Sequence, residues 1–380
     1  MKIGILTLPL HTNYGGILQA YALQTTLQKM GHEVVVIDKR QNFKLPLHKK
    51  IIACTKQAIK RYLLGKDAPI NLEKYQEKVW KTRTRHTTKF IENHLSRVVV
   101  ENVSLLKAED FDAIVVGSDQ IWRCPYSSSF PGVENSFLAF AETWDIKRLS
   151  YAASFGTDEW EYSKKQTTNC SRLISKFDAV SVREMSAVRI CKEHLKTDAV
   201  HVIDPTMLLC ADDYRALLKD IERKMPDNGL MCYVLDSSEE VNNIIKDISH
   251  SNDLTPYHTN SKTEDYNAPI EERVQPKVED WLRSFNDAEF IVTDSFHACV
   301  FSILFKKPFI VFGNKDRGVA RFQSLLSVYG LEDRLVTSYK EFKEKIDIIK
   351  KPIDYDSVHA LLEQKRCDGT SFLREVLTKE

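Results

Sequence analysis

A histidine stands where a strand passes into a helix, a position from which a side chain could exchange protons with a ligand. Residues 290–292 predict a buried strand, and an apolar helix follows over about 298–304. His297 falls in the first turn of that helix, and ligands of open α/β sheets bind at the carboxyl ends of strands. Histidine is a common proton donor and acceptor in catalytic sites. A surface or helix-capping histidine is the alternative interpretation.

An arginine occupies a similar place in the first half of the chain. Residues 179–182 predict a buried strand that ends at Arg183 and Glu184. The arginine could form an ion pair with Glu184, or it could clamp an anionic ligand. Because neighbouring residues at a strand end point in different directions, the sequence favours the clamp.

Two further turns at strand ends carry candidate binding residues. The apolar run 111–116 predicts a strand, and its carboxyl end is followed by Ser118, Asp119 and Gln120. The run 309–312 predicts another, and a basic turn follows it. Three cations of that turn could meet an anion held over His297: Lys315, Arg317 and Arg321.

The N-terminal turn predicts an anion site. Residues 3–6 and 34–37 read as strands on either side of a helix that stops at Gly31. The helix begins at a turn whose backbone N–H groups and helix dipole favour an anion: Asn13, Tyr14, Gly15 and Gly16. Asp38 stands where a ribose-binding acid would in a dinucleotide site. The turn lacks the three-glycine spacing, however, which argues against such a cofactor.

These elements must be carried by two domains. A chain of 380 residues is long for one core. The alternation of strands and helices predicts an α/β fold in which two Rossmann-like domains face a cleft. We place the first domain at 1–205 and the second, which carries His297, at 206–345. A helical tail at 346–380 could pack back on the first domain.

Composition narrows the class of protein. The net charge is +1, with 43% hydrophobic and 28% charged residues, which is typical of globular proteins and argues against nucleic acid as a partner. The eight cysteines include no close pair at metal-ligand spacing, and the contexts of Cys124, Cys210 and Cys299 predict buried thiols. The N-terminus shows no signal peptide, and no apolar run approaches the length of a membrane span. We therefore expect a cytoplasmic protein.

A basic insertion interrupts the first domain at about 44–100. No acidic residue occurs over 44–66, where lysines alternate with apolar residues. A second basic stretch follows with Tyr75, Trp80 and Phe90 interleaved. A solvated helical hairpin is one interpretation. The other is a surface at 44–90 that lies against anionic lipid head groups at the inner face of the membrane, or against a phosphate-bearing acceptor. Aromatic rings also suit a sugar.

Motifs in order along the chain resemble those of the polysaccharide pyruvyl transferases. They are NYGGILQAYALQ at 13–24, VGSDQIW at 116–122, SVRE at 181–184, DPT at 204–206, and the segment around His297 with its following strand. The resemblance covers nearly the whole chain. It implies the GT-B-like fold of two Rossmann-like domains, with the site in the cleft between them.

The resemblance also implies an activity. Members of this family transfer the enolpyruvyl group of phosphoenolpyruvate onto two hydroxyls of a sugar, forming a ketal in cell-surface polysaccharides such as capsule and exopolysaccharide. Arg183 matches the family's arginine and would clamp an anionic group of the donor. His297 matches the family's essential histidine and would act as general acid. Phosphoenolpyruvate is the donor substrate, and neither a metal nor another cofactor is implied. The acceptor sugar could be free or lipid-linked.

One position departs from the family pattern. Many members have an arginine where this chain has Ser295, and a serine cannot neutralise an anion. Lys315, Arg317 and Arg321 are the candidates to replace it. Two other functions stay open: a glycosyltransferase of GT-B fold that uses a nucleotide sugar, and a sugar-binding relative without catalytic activity.

Overall fold

The structure is a computed structural model. It describes residues 1–65, 68–129, 132–219, 221–223, 225–263, 265, 267–313 and 318–378. The predicted binding residues Lys315 and Arg317 lie outside the described residues. The described chain contains two parallel sheets flanked by helices, so the predicted α/β class is confirmed.

The N-terminal sheet has seven strands: β1 (Lys2–Leu6), β2 (Glu33–Lys39), β3 (Arg97–Val100), β4 (Ala113–Val116), β5 (Lys147–Ala153), β6 (Ala179–Val182) and β7 (Val200–His201). Their order is β3-β2-β1-β4-β5-β6-β7, and all pairs are parallel. The order reverses between β1 and β4. In sheets of this kind the crevice at the carboxyl ends beside the reversal is where ligands bind.

The C-terminal sheet has five strands: β8 (Gly229–Tyr233), β9 (Thr255–His258), β10 (Phe290–Thr293), β11 (Phe309–Phe312) and β12 (Leu335–Val336). Their parallel order is β12-β11-β10-β8-β9, so the reversal lies between β8 and β10. The segment that carries His297 follows β10 and therefore starts at this second reversal.

Twelve α-helices are described: α1 (Tyr14–Lys29), α2 (Leu47–Tyr62), α3 (Leu72–His94), α4 (Lys164–Ile174), α5 (Met185–Ile190), α6 (Ala211–Arg215), α7 (Glu239–Asn252), α8 (Val278–Asp287), α9 (Phe296–Leu304), α10 (Val319–Val328), α11 (Tyr339–Ile349) and α12 (Tyr355–Thr378). The basic insertion forms α2 and α3. Asn13 caps α1, because its side chain accepts a hydrogen bond from the Gly16 N–H at 3.2 Å.

The two sheets share one apolar core. Alternate residues of a strand point to opposite faces, and in β10 Ile291 joins the core that also contains Ile5 of β1, whereas Val292 faces a smaller outer core. All three side chains are buried, and full burial of each contributes roughly 1.5–3 kcal/mol. The shared core holds the carboxyl ends of both sheets near each other.

The C-terminal helix returns to the N-terminal domain. Lys147 of β5 donates a hydrogen bond to the Val376 carbonyl at 3.1 Å. Arg366 donates to the carbonyls of Met207 and Leu209 at 2.8 and 3.0 Å, so α12 is fastened to the segment that leaves the first domain.

The cysteine environments differ in part from the prediction. Cys299 is buried and Cys124 is half-buried, but Cys210 is exposed. The prediction of a buried Cys210 is wrong because this residue precedes α6, where its backbone N–H and its thiol both donate to the Asp213 carboxylate, at 2.8 and 3.2 Å.

Candidate functional site

The loops at the reversal of the N-terminal sheet contact each other. Asn13, after β1, donates a hydrogen bond from Nδ2 to Asp119 Oδ2 at 3.3 Å. Asp119 follows β4, is buried, and has a φ of 54°. The two turns that the sequence singled out therefore form one wall of a common site.

Ser118 supports this wall from behind. It is fully buried, its N–H donates to Gln19 Oε1 at 2.8 Å, and its hydroxyl donates to the Ala152 carbonyl at 2.8 Å. That Ser118 binds substrate stays a prediction; the structure shows that its side chain has a partner within the fold.

Tyr14 and Gln120 also have partners within the protein. Tyr14 is buried, stacks on Trp281 with 5.0 Å between ring centroids, and donates its hydroxyl to the Pro276 carbonyl at 2.8 Å. The binding role of Tyr14 stays a prediction; the structure shows that its side chain joins the two domains. Gln120 accepts a hydrogen bond from Arg123 at 2.9 Å.

Arg183 lies at the centre of a buried cluster of charges. Its Nε donates to Glu184 Oε1 at 3.1 Å, and its Nη1 donates to Asp204 Oδ2 at 2.9 Å. Its Nη2 lies 3.6 Å from Asp119 Oδ1. The expectation that Arg183 and Glu184 point apart is wrong, because the arginine side chain turns back along its own loop to meet this carboxylate. The clamp stays a prediction, with Nη2 the nitrogen that has no hydrogen-bond partner among the described residues.

The carboxylates around Arg183 keep it charged. Burial lowers the pKa of Arg183, but the negative charges of Glu184, Asp204 and Asp119 more than compensate and hold that pKa above its usual range. The guanidinium also lies over the ring of Phe296, with its Cζ 4.3 Å from the centroid. Arg183 of the first domain thus contacts the helix that carries His297.

His297 is positioned by two neighbours from different parts of the chain, Gly15 and Asp204. It lies in the first turn of α9 and is only 7% exposed, so the interpretation as a surface histidine is wrong. Its ring lies directly over Gly15 of α1, where an added Cβ would come within 2.0 Å of Nδ1. Its Nε2 lies 3.5 Å from Asp204 Oδ2.

Asp204 is the residue that the sequence reasoning did not select. It follows β7, and its Oδ2 is shared between Arg183 Nη1 and His297 Nε2. Its Oδ1 accepts hydrogen bonds from the N–H and the hydroxyl of Thr206, at 3.0 and 2.7 Å. The available signal is the DPT motif at 204–206, which follows a strand and resembles a motif of the family.

The environment keeps the Asp204 carboxyl ionised. Burial raises the pKa of Asp204, but His297, Arg183 and the Thr206 hydroxyl more than offset this and hold the pKa well below its usual range. An ionised carboxylate at this point can orient the His297 ring and fix the Arg183 guanidinium at the same time.

A pH titration of stability tests this charge state. Because the pKa of Asp204 is depressed in the folded protein, its contribution to stability is complete above the unfolded pKa of about 3.9 and is lost as pH falls through the folded value. We expect Asp204→Asn to lower the free energy of unfolding at pH 7 by about 3 kcal/mol, because it leaves Arg183 under-compensated. The difference from the unmodified chain should shrink on acidification below about pH 4. Urea unfolding at both pH values measures it.

The control for that titration is a variant at an aspartate whose carboxylate is exposed to solvent. Asp356→Asn removes a fully exposed carboxylate of α12 and should leave the unfolding free energy nearly unchanged at both pH values. A constant difference between Asp204→Asn and the unmodified chain at neutral and acid pH would contradict the assigned charge state.

Arg321 is the one described member of the three predicted cations, and it lies in the same cluster. It is buried, and its guanidinium Cζ is 5.7 Å from the centroid of Phe296, the ring that also contacts Arg183. Burial lowers the pKa of Arg321 to about 10, and the positive charge of Arg183 contributes. At neutral pH two guanidinium groups therefore flank Phe296.

Ser295 and Gly16 border the site. Ser295 is half-buried at the start of α9, and its N–H donates to Thr293 Oγ1 at 3.0 Å. Gly16 lies beside Gly15 in the first turn of α1. The amino ends of α1 and α9 therefore both lie at His297, with Gly15 and Phe296 in contact with its ring.

Two cavities lie away from this cluster. One, of about 330 Å³, opens near the amino ends of the C-terminal strands, where Leu254, Phe290 and Pro308 line it. The other, of about 470 Å³, lies along the basic face of α3 beside Lys78 and Arg85. Within the described ranges, no group of three or more metal-ligating side chains is found, and no helix is long and apolar enough to cross a bilayer.

Comparisons with known proteins agree with this architecture. The epimerase from Neisseria meningitidis that was crystallised with UDP-GlcNAc is 12% identical, with 100% of both chains covered and a TM-score of 0.51. A putative UDP-N-acetylglucosamine 2-epimerase from Listeria monocytogenes is 14% identical, with 99% and 94% covered and a TM-score of 0.51. These likenesses concern the fold, which is that of the GT-B enzymes.

Sequence comparison identifies the family. No curated protein matches the chain significantly. The sequence model of the family Polysaccharide pyruvyl transferase matches residues 13–316. The matched range begins at the Asn13 turn and includes Arg183, Asp204 and His297. The chain therefore belongs to the polysaccharide pyruvyl transferase family.

Proposed function

We propose that this transferase moves the enolpyruvyl group of phosphoenolpyruvate onto two hydroxyls of a sugar, forming a pyruvate ketal for a cell-surface polysaccharide. One observation carries the proposal: His297 of the second domain and Arg183 of the first meet at a single oxygen, Asp204 Oδ2, at 3.5 and 2.9 Å. A proton donor and a fixed cation are what an anionic enol donor requires.

The charges around Phe296 suit that donor. Phosphoenolpyruvate carries a carboxylate and a phosphate, and guanidinium groups bind both with charge-assisted hydrogen bonds. Arg183 and Arg321 lie over the same ring, with their Cζ atoms 4.3 and 5.7 Å from its centroid. The amino ends of α1 and α9 add positive potential at the same place. Arg321 is thus our candidate for the cation that Ser295 does not supply.

The proposed reaction begins with proton transfer. The His297 imidazolium gives its proton to the methylene carbon of the donor, where the electrons of the double bond form the new C–H bond. Positive charge then develops at C2, and a sugar hydroxyl adds there as the neutral imidazole accepts its proton. The C2–O bond to phosphate breaks and phosphate leaves with the bonding electrons. A second hydroxyl adds to C2, its proton passes to phosphate, and the ketal closes.

The acceptor would lie on the side of the basic insertion. His11, after β1, is 5.8 Å from Trp80 of α3, and Phe43 is also 5.8 Å from Trp80, as measured between ring centroids. Aromatic faces of this kind stack on the apolar faces of sugars. Burial lowers the pKa of His11, and the positive charge of Arg83 lowers this pKa further. The negative charge of Asp119 raises it. The wall formed by the Asn13 and Asp119 turns is called the donor wall. His11 belongs to the same turn as Asn13, which donates to Asp119, so the aromatic group lies on the side of this wall.

The test is release of inorganic phosphate from phosphoenolpyruvate across a panel of free and lipid-linked hexosides. We expect release that depends on an acceptor, with a product heavier than the acceptor by one pyruvyl group. Two other outcomes would contradict the proposal. Turnover of a nucleotide sugar, with none of phosphoenolpyruvate, would indicate a glycosyltransferase of the same fold. Saturable sugar binding without turnover of either donor would indicate a binding protein.

A further inference from the structure

Helix α2 of the basic insertion presents its apolar residues to solvent. None of its residues is buried. Ile51, Ile52 and Ile59 are 59%, 53% and 45% exposed, and Tyr62 is 72% exposed. At 100° per residue these side chains share one face of the helix. Leu63 and Leu64, just after the helix, extend the exposed apolar surface.

The opposite face of α2 packs against the protein and is the more polar one. Its half-buried residues are Lys50, Ala53, Cys54, Gln57 and Ala58. Lys50 donates to Glu73 at the start of α3 at 2.7 Å, and Glu73 also accepts from the Leu45 N–H at 2.9 Å. The usual arrangement of a surface helix is the reverse, with the apolar stripe toward the core. A contiguous apolar surface turned outward marks an interaction site.

The charges that border this face are all positive. No acidic residue occurs from Lys44 to Leu64. On the helical wheel Lys49, Lys56 and Lys60 follow one edge of the apolar face, and Arg61 lies beyond the other; all four are exposed. Long basic side chains at the edges of an apolar face can keep their charges at the level of lipid head groups while the face enters the acyl region.

We propose that α2 is a membrane-docking helix that lies in the surface of an anionic bilayer, with the face that contains Ile52 and Ile59 in the apolar region. Charge complementarity decides between this occupant and a second copy of the chain. Two copies of α2 packed face to face would bring two wholly basic helices together, whereas anionic head groups neutralise them. The helix lies on the bilayer and does not span it, since its 16 residues are too short to cross.

The position of α2 relates the docked surface to the site. Lys50 joins α2 to α3 through Glu73, and Trp80 of α3 contacts His11 beside the donor wall. A bilayer under α2 would therefore lie on the acceptor side of the molecule. The docking itself does not rest on the proposed pyruvyl transfer, because it depends only on the exposed face and its charges.

Vesicle co-sedimentation of the full chain tests the proposal without any substrate. The vesicles are phosphatidylcholine alone, or phosphatidylcholine mixed with phosphatidylglycerol. We expect binding to the mixed vesicles, with weaker binding to the neutral ones and at higher salt. Ile52→Glu and Ile59→Glu should each weaken binding at least about tenfold, because a charge replaces a buried apolar side chain. Lys56→Gln with Lys60→Gln should weaken binding to the mixed vesicles alone by about tenfold or more.

The matched control is Leu105→Glu, which places the same charge at a residue 65% exposed elsewhere on the surface, and it should bind vesicles as the unmodified chain does. Three outcomes would each overturn the proposal. The unmodified chain could stay in solution with mixed vesicles, or Ile52→Glu could bind them unchanged. Light scattering without lipid could instead show a dimer that Ile52→Glu converts to a monomer, which would make this face a contact between copies. Circular dichroism establishes that each variant is folded.

Discussion

Replacement of His297 by alanine should reduce phosphate release from phosphoenolpyruvate by about 10² to 10⁴-fold, the usual effect of removing a general acid. The reduction should fall on kcat, because Arg183 and Arg321 remain to bind the anionic donor. Initial rates of phosphate release, measured over a range of donor concentrations with a saturating acceptor, separate kcat from KM.

The control for this variant is His250→Ala. His250 is an exposed histidine near the end of α7, and its loss should leave both kinetic constants within about twofold. Unchanged kcat in His297→Ala would exclude this side chain as the proton donor. The pH profile gives a second readout, because the limb of kcat that reports the protonated donor should disappear with the imidazole.

A single methyl group at Gly15 should be almost as damaging as loss of the histidine. The Cβ of Gly15→Ala would lie 2.0 Å from His297 Nδ1, closer than any real contact, so the ring must leave its present position. Misplacement of a catalytic group by about 1 Å can reduce the rate about 10²-fold. We expect a loss of that size in kcat, measured by the same phosphate assay. Stability should change little, since alanine favours a helix over glycine by about 1 kcal/mol, which offsets part of the clash.

The adjacent glycine provides a matched control. Gly16→Ala introduces the same methyl group one residue later in α1, where its nearest neighbour is Asn13 Nδ2 at an ordinary 3.4 Å. We expect this variant to lose much less activity than Gly15→Ala, because the Gly16 N–H that borders the site is kept and the His297 ring is not displaced. Equal activity of the two variants would show that the contact between Gly15 and His297 has no role in turnover.

The sequence was sufficient to predict inner strands of both sheets but not the edge strands β3 and β12. That the site lies at the carboxyl ends of these strands stays a prediction. Strands such as β4 and β10 are short apolar runs because both of their faces are buried, and that pattern is legible without coordinates. Their polar carboxyl ends located Asp119 and His297. The approach of His297 to Gly15 depends instead on how two domains pack, which no local pattern encodes.

Charge pairing was the weaker part of the sequence reasoning. Strand geometry directs the Cβ atoms of neighbouring residues to opposite faces. An arginine side chain is long enough for its guanidinium to meet a carboxylate that starts on the other face. Arg183 lies near the carboxylates of Glu184, Asp204 and Asp119 at once. Asp204 follows a strand end in the same way as Arg183 and His297, but a lone aspartate there has no spacing pattern that marks it as a site residue. A carboxylate that follows a predicted strand deserved the same weight as a histidine in that position.

The basic insertion shows a different limit of prediction from sequence. The apolar residues of α2 recur with helical periodicity, so the sequence predicts an amphipathic helix. Periodicity alone does not tell which face of that helix is turned to solvent. The exposure of Ile52 and Ile59, together with the contact between Lys50 and Glu73, shows that the polar face is turned inward. The two interpretations of a solvated hairpin and a lipid surface could not be separated before that contact was known.

The chain leaves the first domain after Asp204 and returns to it along α12, whose His359 still hydrogen-bonds the Ile303 carbonyl of the second domain. Further along the same helix, Arg366 joins the two passages through the carbonyls of Met207 and Leu209. Because two linked connections join the domains, rotation of one domain about the long axis of these connections is more restricted than bending at them. Any opening that admits the donor to His297 should therefore follow a clamshell path about one fixed axis. The His297 imidazole would then separate from Gly15 and return to it along one path as the domains open and close. Each closure would restore the same alignment of the ring with Asp204.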